Sequence, residues 1–189
     1  FVLHVSIHQP WKDRRPGMNA WFGTEINRHN TWFESSGDWI MYLRRCCSLL
    51  QQGTRVADVA YFIGEDTPKM TGIRQPPLPE GHDFDYINAE VILRDLDVQD
   101  GRFVLPHGMN YKLLVLPKLD TMRPALLNKI AALVEKGGAI LGPPPSRSPS
   151  MEDYPAADAQ VAATARKLWS SDEAGVFQGA DIAAALEKL

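Results

Sequence analysis

The sequence predicts an α/β protein, dominated by a parallel, doubly wound sheet. Three observations predict it. Short, mostly apolar runs recur at 56–63, 112–117 and 138–142. They read as continuous rather than alternating, as strands buried on both faces do. Helical periodicity fills the intervals after the second and third runs, so strand and helix alternate from residue 55 onward.

The elements follow in chain order. Residues 1–7, Phe-Val-Leu-His-Val-Ser-Ile, read as a buried strand with no polar run before it. An opening in mid-strand predicts a C-terminal piece of something larger. Residues 8–37 are irregular and rich in Pro, Gly and Trp, and a loop this long in a compact domain is usually functional. Trp39, Tyr42, Leu43, Cys46, Cys47 and Leu50 repeat at helical spacing, and Gly53 reads as the stop. Residues 64–82 form a second long loop with four prolines. A helix is expected over 88–96, with Asp85 as its N-terminal acid, and a small strand and turn over 102–110. Leu126, Leu127, Ile130, Leu133 and Val134 mark a helix within 121–136, closed by Gly137-Gly138. Helices over 158–168 and 180–189 flank a short strand at 176–177. The chain therefore divides near Gly53, into 1–53 and 54–189.

Composition narrows the function. The 189 residues carry 20 Lys+Arg against 23 Asp+Glu, a net charge of −3, and 44% are hydrophobic. No basic stripe exists, so nucleic acid is not an expected partner. No apolar run reaches the roughly 20 residues that cross a bilayer, so no membrane partner is expected. The two cysteines, Cys46 and Cys47, are adjacent on a helical pattern, where their side chains diverge.

The α/β half lacks the usual chemistry of such sheets. After the first apolar run stands Gly64-Glu65-Asp66-Thr67-Pro68, with acids where a dinucleotide or phosphate loop would need glycines and amides. No cysteine sits at a strand-to-helix turn, where a glutamine amidotransferase would keep its nucleophile. Glu65, Asp66, Asp83 and Asp85 concentrate acid near the expected carboxyl ends of strands, and turn chemistry and capping explain them most simply.

Chemistry concentrates in the first 37 residues. Tryptophan interleaved with Glu, Asp, His and Asn suits a carbohydrate: indole stacks on the C–H face of a pyranose, and short polar groups bind hydroxyls. The candidate sugar-binding residues are His8, Trp11, Trp21, His29, Asn30 and Trp32. No carboxylate pair is identifiable by spacing; of Glu25 and Glu34, the second also fits a helix-terminus acid, and Glu25 is the candidate catalytic carboxylate. A packing role competes for several of them; Trp32 and Trp39, seven apart, could simply fix the loop on the helix. No metal-ligand set is legible.

Several stretches resemble the end of the catalytic barrel, and the domain after it, in bacterial glycoside hydrolases of the α-L-rhamnosidase type, family 106. They are His8-Gln9-Pro10-Trp11, Arg15-Pro16-Gly17-Met18, Arg28-His29-Asn30-Thr31-Trp32-Phe33, Gly64-Glu65-Asp66, His82-Asp83-Phe84-Asp85-Tyr86-Ile87-Asn88 and Arg147-Ser148-Pro149-Ser150. The resemblance implies that 1–53 holds the last strand, active-site loop and helix of a (β/α)8 barrel. It implies that 54–189 is a flavodoxin- or glutamine-amidotransferase-like domain without the catalytic cysteine. It further implies hydrolysis of terminal sugars, α-L-rhamnose first, from plant glycans by an inverting pair of carboxylates. Calcium assists characterised members, and none is assigned to this chain. The partners implied are a carbohydrate and the remainder of a longer polypeptide. Truncation of a barrel would also favour a homo-oligomer, through the bared strand edge. Export to a periplasm or beyond the cell is the family's habit.

Overall fold

A computed structural model describes residues 12–13, 28–66, 74–170, 175–179 and 181–189. The expected opening strand lies outside them. The chain forms two compact units, Phe1–Gly53 and Thr54–Leu189.

In the first unit a turn at 28–32 leads through a 3-10 helix, Phe33–Ser35, into helix α1, Gly37–Leu50. Ser36 precedes α1, but its hydroxyl donates back to the Phe33 carbonyl at 2.6 Å instead of capping the helix. The expected apolar face is present, yet α1 buries none of its residues. Tyr42, Leu49 and Leu50 on that helix are strongly exposed.

The second unit is built on five parallel strands: β1 (Val59–Phe62), β2 (Phe84–Ile87), β6 (Leu113–Val115), β7 (Ala139–Leu141) and β8 (Val176–Phe177). Their lateral order is β2-β1-β6-β7-β8. Between β2 and β6 the chain makes helix α2 (Ala89–Arg94) and a small antiparallel sheet of β3 (Asp97–Gln99), β4 (Arg102–Val104) and β5 (Asn110–Tyr111). Helices α3 (Pro124–Glu135), α4 (Ala156–Ser170) and α5 (Ile182–Leu186) complete it.

Alternation along the strands divides the core in two. Ala60, Phe62, Leu114, Leu116 and Ile140 face Ile92 of α2, Leu127 and Ile130 of α3, and Val161 and Ala165 of α4. Val59, Tyr61, Leu113, Val115 and Leu141 face Ile182, Ala185 and Leu186 of α5. Strands β1, β6 and β7 are buried throughout, which is why they show no polar alternation in the sequence.

Three expectations need correction. No element is legible at 83–87 in the sequence, because Phe84-Asp85-Tyr86-Ile87 mixes polar with apolar residues; these residues form β2, the sheet's half-exposed edge, which need not be apolar. Asp83 and Asp85 therefore lie at the amino end of the sheet, not the carboxyl end. α2 is capped by Asn88, whose side chain accepts from the Val91 amide at 2.9 Å, and not by Asp85, which sits inside the strand. The antiparallel sheet was also underread. Asp100 and Gly101 both take positive φ (49° and 73°), the two-residue turn that Asp-Gly makes best, and it joins β3 to β4.

Side chains blunt the exposed edge. The Phe84 amide donates to Asp83 at 2.9 Å, and the Phe84 carbonyl accepts from Arg55 at 3.1 Å. Arg55 also pairs with Asp83 (2.8 Å) and Asp85 (3.1 Å), and Asp85 accepts from the Tyr111 hydroxyl at 3.0 Å. Beside them Asp58 lies 2.7 Å from His82 Nδ1 and 3.2 Å from Lys112 Nζ. Burial pushes the Asp58 carboxyl up, but its bonds to His82 and Lys112 outweigh this and hold its pKa below the usual value. This cluster ties the starts of β1, β2 and β6 together, at the end of the sheet where stability rather than ligand binding is usual.

Candidate functional site

The expected sugar-binding residues divide by position. His8, Trp11, Trp21 and the candidate carboxylate Glu25 lie outside the described residues. The other three share one turn ahead of α1. His29 is buried, Asn30 half-buried, and Trp32 is 38% exposed. The Asn30 carbonyl accepts from the Phe33 amide at 3.2 Å, so its backbone starts the 3-10 helix. Trp32 and Trp39 meet edge to face, with centroids 6.2 Å apart and planes at 87°. That is a stable aromatic pair, and it fastens the turn to the helix. Packing against Trp39 thus accounts for part of the Trp32 ring, while over a third of the residue's surface stays exposed.

In the second unit, the place to look is the carboxyl edge of the sheet. Open α/β sheets bind ligands there, where the chain reverses its direction of strand addition. Here that point falls between β1 and β6, the first going on to β2 on one side and the second to β7 on the other. Glu65 follows β1 and Arg123 precedes α3. The Glu65 carboxylate accepts from the Arg123 backbone amide at 2.9 Å and from Arg123 Nε at 2.6 Å. Its side chain is only 7% exposed. Pro124, the first residue of α3, has no amide to offer. Glu65 and Arg123 are thus bound to each other at this edge of the sheet.

A groove of about 580 Å³ opens farther along the same edge, over the ends of β6, β7 and β8. Leu116, Leu141 and Pro144 supply apolar walls, with Lys118 and Gln178 among the polar groups. Its one carboxylate, Asp120, is already bound to Arg147 at 3.1 Å. Among the described residues no pair of carboxylates faces it, and dividing acid and base roles across a glycosidic bond needs such a pair. The second unit also has no cysteine, both being on α1. Among the described residues there is no group of three or more His, Cys, Asp or Glu that could hold a metal ion. No helix among them is long and apolar enough to cross a membrane.

Sequence reasoning missed the Glu65–Arg123 pair and the Asp58–His82–Lys112 cluster. No local signal marks either, since their members stand at least 24 residues apart.

The class defined so far is a parallel α/β domain, preceded by a Trp- and His-bearing segment. The model of one family matches the whole chain, residues 1–189, and this protein belongs to that family: glycoside hydrolase family 106, alpha-L-rhamnosidase. A solved structure of a rhamnosidase from Novosphingobium sp. PP1Y is similar over 98% of this chain, with a TM-score of 0.81 and 33% identity. A protein of Formosa agariphila named "Putative beta-glucuronidase" is 39% identical over 171 residues, 89% of this chain. The chain spans 19% of the first and 14% of the second.

Proposed function

We propose that this chain is part of a glycoside hydrolase that removes terminal sugars from plant glycans, with α-L-rhamnose as the sugar. The observation that carries this is the family match over every residue, supported by the similarity to a solved rhamnosidase. In this reading residues 1–53 are the last strand, active-site loop and helix of a (β/α)8 barrel. Loops that follow barrel strands line the active site. His8, Trp11, Trp21, His29, Asn30 and Trp32 form one wall of the sugar pocket, and Glu25 is one of two carboxylates. One carboxylic acid protonates the leaving oxygen while the other activates water on the opposite face of the ring, inverting the anomeric centre. The exposed apolar residues of α1 suit a helix that packs in the outer ring of such a barrel.

Residues 54–189 are in this reading a flavodoxin- or glutamine-amidotransferase-like domain. Counted within the parallel sheet alone, the strand order 2-1-3-4-5 is that of flavodoxin. The domain performs no chemistry and acts as scaffold for the rest of the polypeptide.

The name of the Formosa relative raises a β-glucuronide as the competing substrate. The two sugars differ in ring configuration and in the group on C5, a methyl in rhamnose and a carboxylate in glucuronate. The test is hydrolysis of aryl α-L-rhamnoside and aryl β-D-glucuronide by the full-length parent enzyme. The rhamnoside is expected to turn over at least about 100-fold faster, since a pocket shaped for a methyl leaves a carboxylate unpaired. Faster cleavage of the glucuronide would replace the proposed sugar; cleavage of neither would remove the assignment to terminal rhamnose or glucuronate.

A further inference from the structure

A second groove of the α/β domain, about 530 Å³ in volume, lies between α4 and the segment that leaves β7. Its α4 wall is one helical stripe, Ala162, Ala165, Arg166 and Trp169, at i, i+3, i+4 and i+7. Pro144 and Ser146 stand opposite. The two alanines end at Cβ, which leaves room beside the Trp169 ring. That ring is fixed. Its Nε1 donates to the Gly142 carbonyl at 3.0 Å, and the side chain packs in part against the core. The remainder lines the groove, with Pro144 adding C–H surface.

The charge in the groove is uncompensated. Arg55, Arg94, Arg123 and Arg147 in this domain each hold a carboxylate of the chain. Arg166 is exposed and, among the described residues, has no ion pair or hydrogen bond. No described carboxylate lines the groove.

We infer that this groove binds an acidic sugar, a uronate residue of a glycan. A fixed indole takes the C–H face of a pyranose. The guanidinium takes the uronate carboxylate through two parallel N–H bonds, and the Ser146 hydroxyl is placed for a sugar hydroxyl. The volume falls within the roughly 300–1,000 Å³ of ligand pockets. The α/β domain then contributes glycan binding although it supplies no nucleophile. The inference rests on the proposed glycan substrate only for the class of ligand, and direct binding decides it whether or not the parent cleaves a rhamnoside.

The test is calorimetric titration of the full-length parent with a galacturonate tetramer and with cellotetraose, a neutral sugar of equal length. The uronate is expected to bind with a Kd of about 1 mM or tighter. Cellotetraose should bind at least about 10-fold more weakly, since it offers Arg166 no charge. Arg166→Glu should weaken uronate binding at least about 10-fold and leave the melting temperature unchanged, because the side chain is exposed. Lys167→Glu makes the same change of charge one residue along, outside this groove, and should weaken it less than about twofold. Ala162→Phe, which fills the space beside the ring, should also abolish binding; if it does not fold, Arg166→Glu carries the test. Absence of uronate binding, or binding that Arg166→Glu leaves intact, would overturn the proposal. Equal losses in the Arg166 and Lys167 variants would reduce it to general charge attraction, and equal affinity for cellotetraose would remove the uronate; either result overturns it.

Discussion

Gly138→Ala is expected to destabilise the α/β domain by about 3 kcal/mol, the upper end of the cost of overfilling a packed core. A methyl group at 138 would lie 2.8 Å from two ring carbons of Phe103 and 2.9 Å from the Leu133 carbonyl oxygen. Neither neighbour yields readily. Phe103 is fully buried, and the Leu133 carbonyl is bound to the Gly138 amide at 3.0 Å in the turn that closes α3. The adjacent glycine provides the control. Gly137 has φ of 97° and open space where its Cβ would stand. Gly137→Ala should therefore cost only about 1 kcal/mol, from backbone strain alone. Together the Gly137 amide bonded to Val134 and the Gly138 amide bonded to Leu133 make the paired closure typical of a helix end. Chemical denaturation of the three proteins measures both costs. Adding Phe103→Leu to Gly138→Ala should recover about 1 kcal/mol of the ring clash, because the two residues are in direct contact. Equal costs at 137 and 138 would mean that the ring and carbonyl do not confine residue 138.

Glu25→Gln in the full-length parent is expected to lower kcat by about 1,000-fold or more, with KM changed by less than about threefold. The amide keeps the shape of the side chain but can neither give nor take the proton. General acid–base catalysis contributes roughly 100- to 10,000-fold to such reactions. A loss confined to kcat separates a proton-transfer role from a binding role, which would raise KM first. If Glu25 is the general acid, an aryl glycoside with a strongly acidic leaving phenol should lose less than one with a poor leaving group. If it is the base, both should lose equally. Full activity in the variant would remove Glu25 from the catalytic pair and leave residues 8–34 as a binding loop.

How much of this was legible in the sequence differs between the two units, for physical reasons. The central strands announce themselves because both faces are buried: Val-Ala-Tyr-Phe, Leu-Leu-Val and Ala-Ile-Leu leave no polar position. α3 was equally plain, since its five buried residues follow one helical stripe and Gly137-Gly138 ends it. β2 escaped because an edge strand can carry Asp and Tyr outward. The β3–β4 hairpin carried its Asp-Gly signal in the open, but three-residue strands give alternation too short to read. Of the candidate site, residue types and loop length drew attention to 8–34, and the His29–Trp32 turn is described. Contacts such as Glu65 with Arg123 depend on which strands lie side by side, and nothing in a single sequence specifies that pairing.

The most direct test of the central claim, that this chain supplies one wall of a glycosidase pocket and not a complete active site, is turnover of an aryl α-L-rhamnoside by the 189-residue chain beside the full-length parent. The parent is expected to cleave it and the chain alone to be at least about 10,000-fold slower, because an inverting hydrolysis needs two carboxylates across the bond. Cleavage by the isolated chain at a rate near the parent's would contradict the account and make residues 8–34 an active site in their own right.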